Sequence, residues 1–393
     1  MARMDGLQNF VFDEPTKIIY GEGSIKELKN ELIRLGSKSV LLVCDEGIVK
    51  AGLVDKVKTI VEDTPGVELH LYDKIIVNPL DTTMDEGYEF AKKNQVDTVI
   101  GLGGGSSLDS AKGIALLMTN GGRMREYLME GKVVEKVIAP TICIPTTAGT
   151  GSEVTRTVVA TDHITKFKDG FKYADTMYAA VAILDPVLME GLPPHVLAAC
   201  GMDALTHAIE SYITWKANPI TDAMNIYAIR LIGENIGKAF ARPQNYDAKG
   251  KMLLASTLTG IAFDQAGLGL AHCMGHPMGG LFNVAHGIAC GMALPVTMEF
   301  NLISNPEKFA DIAVALGANI HGLTKYEAAQ KSVEMVKGLL KALGLPMTLR
   351  EIGIEEKDIP SLAKDAMGFP GMRGANPRIA TQKDVENLFR KLL

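Results

Sequence analysis

The segment "HCMGHPMGGLFNVAH", His272–His286, holds three of the chain's eight histidines among glycines, methionines and other apolar residues. A lone histidine on an apolar helix is usually a hydrogen-bonded core residue, so the case for chemistry rests on what accompanies these three. Upstream, "GMDALTHAIE" sets Asp203 and His207 four residues apart, on one helix face and one turn from each other. His272 and His276 repeat that spacing. A buried Asp203 is costly unless a cation or several donors meet it. Gly275, Gly279 and Gly280 each weaken a helix by about 1 kcal/mol. Pro277 predicts a break or kink just past His276. Such weakness is tolerated where backbones must approach closely or a site must be fixed. Asp203, His207 and the downstream histidines therefore form a nitrogen and oxygen donor pool for a divalent transition metal. One carboxylate with three neutral imidazoles leaves such an ion net positive, able to stabilise an alkoxide; Fe²⁺ and Zn²⁺ both accept these donors. Cys200, Cys273 and Cys290 are near in sequence but lack paired spacing, and read as packing residues.

The elements that must position these groups fall into two kinds. Apolar runs at 39–47, 67–73, 96–106, 141–147 and 179–186 read as buried strands, and amphipathic helical stretches lie between the earlier of them. That alternation predicts a parallel sheet covered by helices. Beyond "AAVAILDP" the pattern becomes helical, with candidates at 193–215, 219–240, 246–265, 306–317, 325–343 and 382–392. The expected division is a Rossmann-like α/β domain over 1–190 and an all-α domain over 191–393, with a cleft between them.

Two small-residue loops follow strands of the first part. "GLGGGSSLD" lacks the G-x-G-x-x-G spacing, yet Gly104, Gly105 and Ser106 precede a helix whose amino end favours an anion. Asp109 lies in its first turn. "IPTTAGTGSEVT" places Thr146, Thr147 and Thr150 around glycines. Each alone is as readily a plain turn. Together they should emerge at the carboxyl edge of one sheet, where ligands bind. Asp45, ending "LLVCD", is a third candidate there. Its carboxylate can accept from an adenosine ribose and repel a 2′-phosphate, which favours NAD over NADP; a helix cap is its plain alternative.

Bulk properties narrow the classes. The chain has 393 residues, 47% of them hydrophobic and 22% charged, with a net charge of −6. That is ordinary for a globular protein of two domains and argues against nucleic-acid or anionic-membrane surfaces. Five cysteines without C-x-x-C pairs fit free thiols in a reducing compartment. No signal-peptide pattern and no run near the ~20 apolar residues of a membrane span is visible, so a cytoplasmic location is expected.

"GGGSSLD", "PTTAGTGSEVT", "GMDALTHAIE" and "GLAHCMGHPMGGLFNVAHG", in this order, resemble the iron-containing (group III) alcohol dehydrogenases, and the resemblance spans nearly the whole chain. It implies a dehydroquinate synthase-like architecture, NAD(P)-linked alcohol–aldehyde interconversion on small primary alcohols or diols, and a homo-oligomer. It also implies that Asp203, His207, His272 and His286 bind the metal, Fe²⁺ ahead of Zn²⁺, while His276 stands off it and relays a proton. Gly104, Gly105 and Ser106 then cradle the pyrophosphate, Thr146, Thr147 and Thr150 serve the nicotinamide side, and Asp109 is a further cofactor-binding candidate. Asp45 falls at the ribose, and Asn78 at a further cofactor position. The segment after Thr161 is about one residue longer than the family pattern, so the cofactor lysine aligns as Lys168 from the left and Lys172 from the right; Lys168 is preferred. Two competing readings are a lyase or cyclase on the same architecture and a binding module without catalysis. The first needs a basic cluster for a polyanionic substrate, which the segments around 203–210 and 268–287 lack.

Overall fold

A computed structural model of the chain describes residues 9–172 and 176–393. Its strands are β1 (Lys17–Tyr20), β2 (Ser39–Asp45), β3 (Glu68–Ile75), β4 (Thr98–Gly103), β5 (Thr141–Pro145), β6 (Thr157–Thr161), β7 (Lys168–Lys172) and β8 (Val181–Leu184). Six of them form a sheet in the order β1-β8-β5-β4-β2-β3, parallel throughout. β2 and β4 read "SVLLVCD" and "TVIGLG" without polar alternation because helices cover both faces. Val40, Leu42 and Cys44 pack on one side with α1 (Leu28–Leu35) and α3 (Leu53–Glu62), which follows the short α2 (Glu46–Lys50). Leu41 and Val43 pack on the other with α4 (Asp81–Lys93), α5 (Gly105–Asn120) and α6 (Met124–Met129).

The sheet order decides where a ligand can sit. β3 lies on one side of β2, and the chain then returns to place β4 on its other side. That reversal opens a crevice at the carboxyl ends of β2 and β4. Register pairs Val43 with Gly101 and Gly103 with Pro145. The loops after β2, β4 and β5 therefore emerge side by side, as the sequence leads one to expect.

After β8 the chain is helical: α7 (Pro194–Ile213), α8 (Pro219–Ala241), α9 (Tyr246–Ala266), α10 (Leu270–Phe282), α11 (His286–Asn301), α12 (Pro306–Ala315), α13 (Lys325–Ala342), α14 (Ile359–Ala366), α15 (Pro370–Ala375) and α16 (Gln382–Arg390). These share one apolar core, to which Ala148, Val154, Ala182 and Leu184 of the first part also belong. Of the break or kink expected at Pro277 the break is absent, since α10 runs through it. The lost N–H bond is local, whereas Leu270, Ala271, Cys273, Met274 and Met278 are fully buried and hold the helix on its neighbours. The stretch His286–Ser304 is apolar and long enough to cross a membrane, which the reading for spans did not register; here it is a core helix, 72% of its apolar window buried. β1 and the antiparallel β6–β7 hairpin were also not anticipated. β1 is four residues long, and "KDGFK" of β7 has little apolar content to signal a strand.

Candidate metal centre and cofactor cleft

Missing side chains bring three helices together. A Cβ on Gly287 would lie 2.2 Å from Ala199 O and 3.2 Å from Asp203 Cβ, so the first turn of α11, with His286, docks directly on α7. A Cβ on Gly275 would lie 2.5 Å from Cys290 Sγ, so α10 meets α11 at equally close range. The glycines that weaken these helices thus allow the approach that assembles a cluster. Donor atoms of Asp203, His272, His286 and Cys290 all lie within 4.8 Å of one another. Asp203 Oδ1 is 3.9 Å from His272 Nε2 and 3.7 Å from His286 Nε2. Asp203 Oδ1 and His272 Nε2 are buried without a hydrogen-bond partner. Two orphaned electron-pair donors facing one point are costly unless a cation satisfies them, so these residues fit a divalent metal.

Neighbouring groups aim the rings. His272 Nδ1 lies 2.6 Å from Glu210 Oε2, and Glu210 also accepts from Gly269 N at 3.0 Å and Ala271 N at 2.5 Å. One buried carboxylate therefore caps α10 and leaves His272 Nε2 for the cluster. His207 stands beside that four-residue set, its ring stacked on His272 and on Phe263, each at 4.5 Å between centroids. Its Nδ1 lies 3.2 Å from Gly149 O; a carbonyl only accepts, so Nδ1 carries the proton and Nε2 keeps its lone pair. His276 is 5.3 Å from His286 and 4.7 Å from Phe369 between ring centroids, with its Nδ1 buried and unpartnered.

Burial governs the charges. It raises the Asp203 carboxyl to about 6, with His272 and Lys168 pulling the other way. It pushes His207 and His286 well below the ordinary imidazole value, and His276 down to about 3 with help from the Lys168 charge. These three rings are neutral at physiological pH and offer lone pairs. The Cys290 thiol is raised by burial as well.

Across the crevice the chemistry is mostly backbone. Gly104 caps α5, Gly105 and Ser106 form its first turn, and Thr146 N donates to Gly103 O at 2.9 Å. A Cβ on Gly105 would lie 2.7 Å from Thr150 Cγ2, and one on Gly104 would lie 3.4 Å from Thr147 Oγ1. The threonine loop and the glycine turn are thus fitted against each other. Asp45 Oδ1 accepts from Ile48 N at 3.1 Å and caps α2, so the plain alternative holds for one oxygen; Oδ2 lies 3.4 Å from Ser107 Oγ at the crevice. Asp109 is not in the first turn of α5 as expected; the helix begins at Gly105, which puts Asp109 in the second turn. Its Oδ1 accepts from Ser152 Oγ at 2.5 Å, its Oδ2 accepts from Val159 N at 3.3 Å, and Lys112 Nζ lies 3.3 Å from Oδ1. The carboxylate is engaged within the protein and braces the threonine loop. Lys168 Nζ donates to Asn78 Oδ1 at 2.9 Å, which joins two of the expected residues. Lys172 Nζ instead donates to Asp264 O at 3.0 Å.

Two family models cover most of this architecture. "Iron-containing alcohol dehydrogenase" matches residues 15–186, and "Fe-containing alcohol dehydrogenase family, C-terminal" matches residues 197–393. The chain belongs to the iron-containing alcohol dehydrogenases. It is 39% identical over 379 residues to a 1,3-propanediol dehydrogenase of Klebsiella pneumoniae, covering 96% of this chain and 97% of that one. It is 38% identical over 387 residues to an NAD-dependent methanol dehydrogenase of Bacillus methanolicus, covering 98% and 100%. A solved structure of 1,3-propanediol oxidoreductase superposes with a TM-score of 0.95 at 39% identity, covering 98% and 100%. This alcohol dehydrogenase is accordingly an NAD-linked, metal-dependent oxidoreductase with a helical domain beside its parallel sheet.

Three residues of the site escaped the sequence reading. Glu210 lies seven residues after Asp203, two helical turns along the same face, a spacing that could have marked it. Cys290 lies one turn after His286 and reads from sequence as packing, because no second cysteine pairs with it. Lys112, fully buried, donates to Ser152 O at 2.9 Å and Thr157 O at 2.6 Å. Nothing in its local sequence separates it from an ordinary helix lysine.

Proposed function

We propose that this enzyme interconverts small primary alcohols or diols with their aldehydes, preferring NAD, in a cleft between a domain over 1–190 and one over 191–393. The observation that carries the reading is the pair of orphaned buried donors, Asp203 Oδ1 and His272 Nε2, within a cluster of histidines. Similarity to enzymes named for methanol and 1,3-propanediol supports the substrate class. Asp203, His207, His272 and His286 would hold the metal, Fe²⁺ ahead of Zn²⁺. When bound, the metal supplies a Lewis acid that lowers the alcohol's pKa, and NAD supplies the hydride acceptor.

The protein's own groups do the rest. Glu210 and the Gly149 carbonyl fix His272 and His207 with Nε2 turned toward the cluster. His276, neutral and with Nδ1 unpartnered, accepts the substrate's hydroxyl proton and passes it toward solvent; in aldehyde reduction it returns one. Gly104, Gly105 and Ser106 hold the pyrophosphate with backbone N–H groups at the amino end of α5. Thr146, Thr147 and Thr150 serve the nicotinamide side, Asp45 the adenosine ribose, and Lys168 with Asn78 another polar part of the cofactor. Asp109 acts one step back by holding the threonine loop. Phe263, stacked on His207, helps keep water from the reacting carbon. A cytoplasmic homo-oligomer is the accompanying expectation. The test is a screen of metal-loaded protein with both nicotinamide cofactors against short alcohols, diols and hydroxy acids. NADH should appear with primary alcohols or diols and faster than NADPH; silence across the panel overturns the reading.

A further inference from the structure

The ring contacts that begin with Phe263 on His207 pass through His272 and His286 to His276, and they do not stop there. Phe369 lies against His276, with 4.7 Å between centroids and 27° between ring planes. Phe167 backs Phe369 in turn, at 5.5 Å and 15°. Phe369 stands at the junction of α14 and α15, while Phe167 belongs to the turn between β6 and β7. The stacked pair therefore carries apolar surface from the hairpin to α10. Phenylalanines thus stand at both ends of the histidine array.

The Phe369 ring is held in place. It is 6% exposed, Pro370 follows it as the first residue of α15, and a Cβ on Gly368 before it would lie 2.9 Å from Asp365 O. Phe167 packs on the helical core. The next residue, Lys168, donates to Asn78 on the cofactor side, and its charge acts on both His276 and His286. His276 is thus bounded by a cofactor-side lysine, a cluster histidine and Phe369. A hydroxyl bonded to His276 Nδ1 at about 2.9 Å would sit roughly 4 Å from the centre of that ring. Phe369 lies at a similar range, 4.7 Å. Nearly parallel planes put its edge beside any group bonded in the plane of the imidazole, so the carbons behind that hydroxyl soon meet it.

We propose that Phe369, backed by Phe167, is a specificity-determining residue: its ring closes the substrate site beside His276 and limits the carbon chain of the alcohol or aldehyde. This rests on the dehydrogenase reading given above and deepens it, because it sets the size of substrate that the site accepts. A ring fixed by Pro370 and by a second ring behind it yields little. A methylene that would overlap it should therefore cost about tenfold or more in kcat/KM. Replacing the ring by a small side chain vacates room for several methylenes and should move the preference toward longer chains.

The experiment measures kcat/KM of the metal-loaded enzyme with NAD for straight-chain primary alcohols and terminal diols of increasing length, from ethanol to hexan-1-ol and hexane-1,6-diol. It compares the wild type with Phe369→Ala, Phe369→Leu and Phe167→Ala. The wild type should favour propyl over hexyl substrates. Phe369→Ala should shift that ratio toward the hexyl substrate by at least about tenfold, mainly through KM, and the other two variants by smaller factors in the same direction. The calorimetric Kd of hexan-1-ol for the enzyme–NADH complex, which cannot turn over, should fall by a similar factor, with metal content and NADH affinity unchanged. An unchanged ratio in both Phe369 variants, an equal loss for every substrate, or a wild type that already favours hexyl chains overturns the size limit and leaves the dehydrogenase standing. A wild type that turns over none of the panel overturns the dehydrogenase reading, and the size limit falls with it. Should Phe369→Ala fail to fold by circular dichroism, Phe369→Leu decides.

Discussion

The two walls of the cleft are built on opposite principles. On the sheet side, the groups that face the crevice are backbone N–H donors, hydroxyls and one aspartate at the ends of three adjacent strands. On the helical side they are carboxylate, imidazole and thiol side chains drawn from α7, α10 and α11, residues 203 to 290. The first wall works by what its glycines omit, and its shape follows from strand order. The second works by converging side chains, and depends on three helices docking at glycine-to-backbone range. Damage to the first should weaken cofactor binding and spare the metal; damage to the second should do the reverse.

The strongest way to break the comparison is at the helical wall. Asp203→Asn and His272→Ala should each lose bound metal and at least about a hundredfold in turnover, with NAD affinity by calorimetry little changed. Retention of metal by both would remove the basis of that wall. His276→Ala should cost about a hundredfold in kcat while metal analysis stays near wild type; metal loss there would make His276 a ligand. At the sheet wall, Gly105→Val drives a side chain into Thr150 and should raise the NAD Kd about tenfold with metal content unchanged.

Proton competition sharpens the picture. Burial raises Asp203 to about 6, so in metal-free protein its carboxyl holds a proton below that pH and is free above it. Metal retained after dialysis should therefore fall as pH drops through about 6. The smallest effect lies at Glu14, which burial raises to about 7 and which also feels Asp264 of α9. A carboxyl with a raised folded pKa favours the fold while protonated, and that advantage is lost as pH climbs from its ordinary value of 4.5 toward 7. Glu14→Gln should thus stabilise the protein above neutrality by roughly 1–2 kcal/mol and hardly at all at low pH, as urea denaturation would show.

The sheet wall was the more legible from residues alone. Unbroken apolar runs ending in glycine or aspartate announce buried parallel strands, and strand–turn–helix order puts their loops on one edge. The helical wall was legible in its donors, because Asp203 and His207 share a face, and less so in their arrangement. Helical periodicity says which residues share a stripe and nothing about which stripes meet. For that reason Glu210 went unassigned and Cys290 reads as packing, and of the break or kink expected at Pro277 tertiary burial overrides the break. Asp109 shows the complementary limit: it reads as lying in the first turn of α5, whereas that helix begins at Gly105 and Asp109 falls in its second turn, where Ser152 and Val159 engage the carboxylate.

The bond from His207 to the Gly149 carbonyl ties a ring of one wall to the loop that carries the threonines of the other. With the dinucleotide on that loop and the ion on His207, as proposed, a shift of the loop reaches the imidazole through this bond, and ion uptake pulls on the same bond from the far end. Thermodynamic reciprocity then requires that whatever factor the dinucleotide adds to ion affinity, the ion adds to dinucleotide affinity.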